Sequence, residues 1–165
     1  MTHHTPKGTL IRFVFLSALL ATALLGCSGA GAGGGGSAAI ELEGSFDPGT
    51  STIEGTVSFA STPASGRPLA LTVSKLSPTS YSEFDSTFTT NGNSSMSYRI
   101  TNVSDGTFRV QVQVDMDGNN QFGDSGDLEG WYAGTTGSPI QSSSSATTIT
   151  VSGGSSTGND FGIGP

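Results

Sequence analysis

The run Asp115-Met116-Asp117-Gly118-Asn119-Asn120-Gln121-Phe122-Gly123-Asp124-Ser125-Gly126-Asp127-Leu128-Glu129 concentrates 5 of the chain's 13 acidic residues and contains no Lys or Arg. Carboxylates this close repel one another, so the segment either stays extended or gathers round a cation. Side-chain oxygens recur at every second residue through Asp115, Asp117 and Asn119, with the Gln121 main-chain carbonyl next in the series. A tightly turning loop with that spacing can aim its oxygens at one hard ion. Calcium suits such a set, because it accepts about six to eight oxygens in a tolerant geometry, whereas magnesium usually keeps more water. The expected ligands are Asp115, Asp117, Asn119, Asp124 and Asp127, with Asp124 or Asp127 closing the shell from the far side. Asp160 adds a further ligand only if the fold brings it near. The alternative is a metal-free surface turn in which Asp and Asn side chains bond local amides. In either case the role is structural, because no base, nucleophile or oxyanion donor set converges on the run.

The match to an EF-hand fails at two places: Asn120 stands where the sixth position wants Gly, and Gly126 where the twelfth wants Glu. The run instead resembles the Asp-x-Asp-Gly-Asn loops of calcium-stabilised extracellular β domains. Other chemistry is scarce. The histidines are His3 and His4, inside a stretch that reads as a removable leader, so the remaining chain has no imidazole for a catalytic triad or a His-ligated metal. Acid pairs such as Asp124 with Asp127, or Asp127 with Glu129, have the residue type for glycoside hydrolysis, but such pairs are far commoner as surface or metal groups. The expectation is a domain that is not an enzyme. Trp131 and Tyr132 form a candidate ligand-binding pair just past the acidic run. Neighbours in a strand point to opposite faces, so one of the two is expected in the core and one is left to bind.

The leader has Lys7 and Arg12 ahead of the apolar run Phe13–Leu25, the pattern of a secretory signal. It ends in Leu24-Leu25-Gly26-Cys27, which resembles the lipobox of bacterial lipoprotein precursors. That resemblance implies cleavage before Cys27, a diacylglycerol on its sulfur and an acyl chain on its new amino group. More than one chain anchors stably where a single chain holds only reversibly. Ser28 after the cysteine goes, in such precursors, with transfer to the outer membrane. Residues 1–26 are therefore read as signal peptide and 27–39 as a lipidated Cys with a Gly-rich flexible tether, leaving 40–165 as one domain. Beyond residue 26 the chain carries 4 basic and 13 acidic groups, a net charge of −9, which disfavours nucleic acid as a partner. With a single cysteine no intrachain disulfide forms.

What must position the acidic run is a set of strands. Apolar residues recur at period two, most clearly at Phe108, Val110, Val112 and Val114, with Arg109, Gln111 and Gln113 between them. Ile53-Val57-Phe59, Leu69-Leu71-Val73, Met96-Tyr98-Ile100, Ile149-Val151 and Phe161-Ile163 repeat the pattern, separated by turn signals such as Asn91-Gly92-Asn93 and Ser104-Asp105-Gly106. No stretch of the domain shows a helical period. The expected class is all-β, an antiparallel Greek-key sandwich of about seven strands with an acidic loop insertion. Glu54-Gly55-Thr56-Val57, Gly66-Arg67-Pro68-Leu69 and Ser104-Asp105-Gly106-Thr107-Phe108-Arg109-Val110 resemble the prealbumin-like sandwich of carboxypeptidase regulatory-like and collagen-adhesin B-type repeats. The resemblance covers residues 53–115 and the closing strand, and implies a stalk or accessory unit without an active site. The functional expectation is a lipid-anchored cell-envelope module whose partner is an envelope protein or a glycan. The rival is a carbohydrate-binding surface module built on Trp131 and Tyr132.

Overall fold

The computed structural model describes residues 40–46, 49–77 and 81–165; the leader, Cys27 and the Gly-rich tether lie outside the described residues. Among the described residues there is no helix. Ten strands form: β1 (Ile40–Phe46), β2 (Ser51–Phe59), β3 (Pro68–Leu76), β4 (Tyr81–Thr89), β5 (Ser95–Val103), β6 (Gly106–Val114), β7 (Leu128–Thr135), β8 (Ser138–Ile140), β9 (Ile149–Val151) and β10 (Phe161–Ile163). The period-two pattern has its physical outcome on β6, where Phe108, Val110, Val112 and Val114 are fully buried while the residues between them remain partly exposed. Each such side chain contributes about 1.5–3 kcal/mol on burial. Four of them on one strand therefore match, in size, the whole net stability of a typical domain, roughly 5–15 kcal/mol.

The strands make an all-β sandwich of two sheets. One has the order β1-β5-β2-β10; the other runs β4-β3-β6-β7-β8, with β9 also pairing against β6. Most pairs are antiparallel, but β1 runs parallel to β5 and β10 parallel to β2. A parallel neighbour requires a crossover, and β10 meets that condition because the chain reaches it from β9 in the opposite sheet. Among the described residues the count is ten against an expected seven or so, partly because residues 115–146 supply β7 and β8 as well as the loop.

The two sheets are pinned together near the end of the acidic loop. Glu129 and Gly164 exchange backbone hydrogen bonds of 2.9 and 3.1 Å, joining β7 to the segment after β10. Phe161 packs edge-on against both Tyr98 of β5 and Tyr132 of β7, at centroid distances of 6.0 and 6.2 Å. A second fastening lies at Asn159, whose backbone N–H and side-chain amide each donate to the Glu54 carbonyl at 3.1 Å. Its own carbonyl accepts from the buried Tyr98 hydroxyl at 2.7 Å. Gly55 faces this junction, and a Cβ there would collide with the Asn159 carbonyl, so only glycine lets the backbones approach.

Candidate metal centre

Hairpin register assembles the acidic site. Val114 of β6 pairs with Leu128 of β7, so Asp115 and Asp127 are the next residues outward on the two arms and face each other across the base of the loop. Twelve positions of sequence separation are closed by that single pairing. Asp115 is fully buried and Asp127 is 4% exposed, whereas Asp117 is exposed. One oxygen from each of these three carboxylates lies within 4.8 Å of the others. Two oxygens bound to one calcium at about 2.3–2.6 Å stand at most about 5 Å apart, so the cluster has the dimensions of a calcium shell.

The loop between the arms turns tightly. Gly118 at φ 81° and Asn120 at φ 63° occupy the left-handed region, which Gly and Asn tolerate best. The curl folds successive amides onto Asp115: Oδ1 accepts from Gly118 N at 2.6 Å and Asn119 N at 3.2 Å, and Oδ2 accepts from Asn120 N at 2.7 Å. Burial opposes ionisation of Asp115, but the amides of Asn120, Gly118 and Asn119, with the Asp117 carboxyl, outweigh it and hold its pKa below the ordinary Asp value. Asp115 is thus an anion at neutral pH, suited to a cation and unsuited to proton donation.

The remaining expected ligands fall into the same loop with different partners. Asn119 Nδ2 donates to Asp117 Oδ2 at 3.1 Å and to Asp124 Oδ2 at 2.8 Å, bridging the two carboxylates, while its Oδ1 accepts from Gln121 N. Asp127 Oδ1 accepts from Met116 N at 2.8 Å. Its other oxygen, Oδ2, is buried and has no hydrogen-bond partner. An unpaired buried carboxylate oxygen is costly, and such groups are rare in folded domains.

One cation reaches the loop from outside the acidic run. Arg67, from the β2–β3 connection, lays its guanidinium over Gly118, in the space a Cβ would fill. It offsets part of the loop's charge from a place some fifty positions earlier, which local composition does not register. Asp160 does not join the cluster: its Oδ1 accepts from Thr56 N at 2.7 Å, on β2 of the other sheet. Tyr132 packs against the core beside Phe161. Trp131 points the other way, outside the core cluster, and is only 8% exposed, so the two rings do not share one face. Cys27 lies outside the described residues. Comparisons of the chain with protein-family models, with curated proteins and with solved structures each found no match.

Proposed function

We propose that the chain is a non-enzymatic, lipid-anchored module of the cell envelope, an accessory or protein-interaction β-sandwich whose acidic loop is held by one calcium ion. The observation that carries the calcium reading is Asp127 Oδ2, buried and unpaired beside the carboxylates of Asp115 and Asp117. A metal-free turn accounts for Asp115, both of whose oxygens accept local amides. It leaves Asp127 Oδ2 without a favourable partner, and a cation supplies one. Asp115, Asp117 and Asp127 would hold the ion, with Asn119 and Asp124 within the same bonded group. Bound there, calcium neutralises like charges and fixes the β6–β7 hairpin; it supplies no chemistry to a substrate.

The anchoring part of the proposal rests on Leu24-Leu25-Gly26-Cys27 and the leader before it. An acidic domain at the end of a Gly-rich tether works by position and contact, with an envelope protein or glycan as partner. Calorimetric titration of calcium into the metal-free protein tests the site. One saturable binding event is expected, weakened at least about tenfold by Asp127→Asn, which keeps the acceptor for Met116 N but removes the charge. No saturable heat up to millimolar calcium would discard the calcium part. Mass analysis of membrane-extracted protein tests the anchor: a chain beginning at an acylated Cys27 is expected, and an intact leader on an unmodified cysteine would discard it.

A further inference from the structure

The outer face of the larger sheet carries a second site that is independent of the acidic loop. Along one side of β6, β9 pairs with Gly106–Phe108 and β7 with Gln111–Val114. Neither takes a register partner at Arg109 or Val110, so the sheet has a notch there. Cross-strand register sets the notch's walls. Glu83 lies opposite Ser74, Ser74 opposite Arg109, and Gln111 opposite Trp131. These residues, with Ser143 from the β8–β9 connection, line a cleft of about 290 Å³. That is far above the roughly 10–15 Å³ needed for one water and near the lower end of ligand pockets, about 300–1,000 Å³. The cleft suits one ring.

Its chemistry is mixed in a specific way. Arg109 lines the cleft, and its Nε is buried without an acceptor. Glu83 uses Oε2 to accept from Ser74 Oγ at 3.1 Å and offers acceptor capacity across the cleft. Gln111 and Ser143 add groups that both donate and accept. Trp131, 8% exposed and outside the main core cluster, lines the cleft with the part of its ring that the protein leaves uncovered. One cation and one anion balance, so a charged ligand would leave one of them facing a like charge. We infer that this notch binds a single neutral sugar ring: a hydroxyl oxygen accepts from the Arg109 guanidinium, a hydroxyl hydrogen goes to Glu83, and the ring's C–H groups lie against the uncovered part of Trp131. Tyr132 takes no part, because it packs against the core.

The chain's single Trp is the wall residue, so its fluorescence reads the cleft directly. The test titrates the full chain with glucose, galactose, mannose and N-acetylglucosamine, with glycerol at matched concentrations as the non-specific control and glucuronate as the charged arm. At least one neutral sugar is expected to give a saturable change. Arg109→Met should weaken it by about tenfold or more at an unchanged melting temperature. Where Arg109→Met lowers the melting temperature, Glu83→Gln decides, since Glu83 is exposed and its replacement keeps the shape. Linear changes equal to glycerol for all four sugars overturn the proposal, as does saturation unaffected by the deciding variant. Tighter binding of glucuronate than of glucose overturns the assignment to a neutral ligand.

Discussion

Replacing Tyr98 by Phe probes the junction that closes the sandwich. The Tyr98 side chain is 1% exposed and its hydroxyl donates to the Asn159 carbonyl at 2.7 Å. Removing the hydroxyl loses a hydrogen bond with a net contribution of about 0.5–1.5 kcal/mol and leaves the carbonyl short of a donor, at a cost of about 1–3 kcal/mol. The expected loss at neutral pH is about 2–3 kcal/mol. Domains of this size shift by roughly 3–6 °C per kcal/mol, so the melting temperature should fall by about 6–18 °C. A second readout separates the hydroxyl from mere packing. Burial, followed by the nearby Tyr132 and Asp160, raises the Tyr98 pKa well above its ordinary value of 10.0. Above about pH 10 the unfolded chain has released this proton while the folded chain keeps it, so the unfolded state binds fewer protons and stability falls as pH rises. Below that pH both states hold the proton and the contribution is complete. The slope is about 1.4 kcal/mol per pH unit, and Tyr98→Phe should remove it. Urea denaturation of both proteins at pH 7 and at pH 11 measures both effects. A loss under about 0.5 kcal/mol at pH 7, together with identical alkaline slopes, would mean that the Tyr98 hydroxyl does not fasten this junction.

Other substitutions test the same structure at separate points. Gly55→Ala drives a methyl group into the Asn159 carbonyl and to 2.9 Å from the Tyr98 ring, so a loss of about 1–3 kcal/mol is expected in denaturant melts. Ala133 sits in β7 at φ 78°, beside the irregular register with β8, and is exposed. Ala133→Gly should therefore stabilise by up to about 1 kcal/mol, against the usual cost of glycine in a strand, and the denaturation midpoint will report the sign. Gly118→Ala meets both a left-handed backbone and the Arg67 guanidinium. It should lower stability by about 1–2 kcal/mol, and Arg67→Ala in the same protein should recover only the part owed to the contact.

The sandwich was legible because period two is a direct imprint of one buried face. Phe108, Val110, Val112 and Val114 could be assigned to the core with no knowledge of what they pack against, and all four are fully buried. That Asp115, Asp117, Asn119, Asp124 and Asp127 share one loop was legible from their spacing, and the structure brings carboxylate oxygens of Asp115, Asp117 and Asp127 together while Asn119 bridges Asp117 and Asp124. Which of them is central did not. Asp127 comes close through the Val114–Leu128 pairing, and register is a property of two strands that one strand's pattern does not contain. The same limit hid Arg67 over Gly118 and the notch at Arg109, each of which depends on where a distant strand begins or stops. Alternation also left open which of Trp131 and Tyr132 turns inward, a choice settled by the position of Phe161 on the parallel strand β10.

Calorimetric melting of the metal-free full chain in calcium, in magnesium and in chelator decides whether calcium holds the base of the β6–β7 hairpin, as proposed. With calcium about 100-fold above its dissociation constant, linkage adds about 2.7 kcal/mol, a rise of roughly 8–16 °C for a domain of this length, with a smaller response to magnesium and at most about half the rise after Asp127→Asn. Superimposable transitions in calcium and in chelator would contradict that proposal.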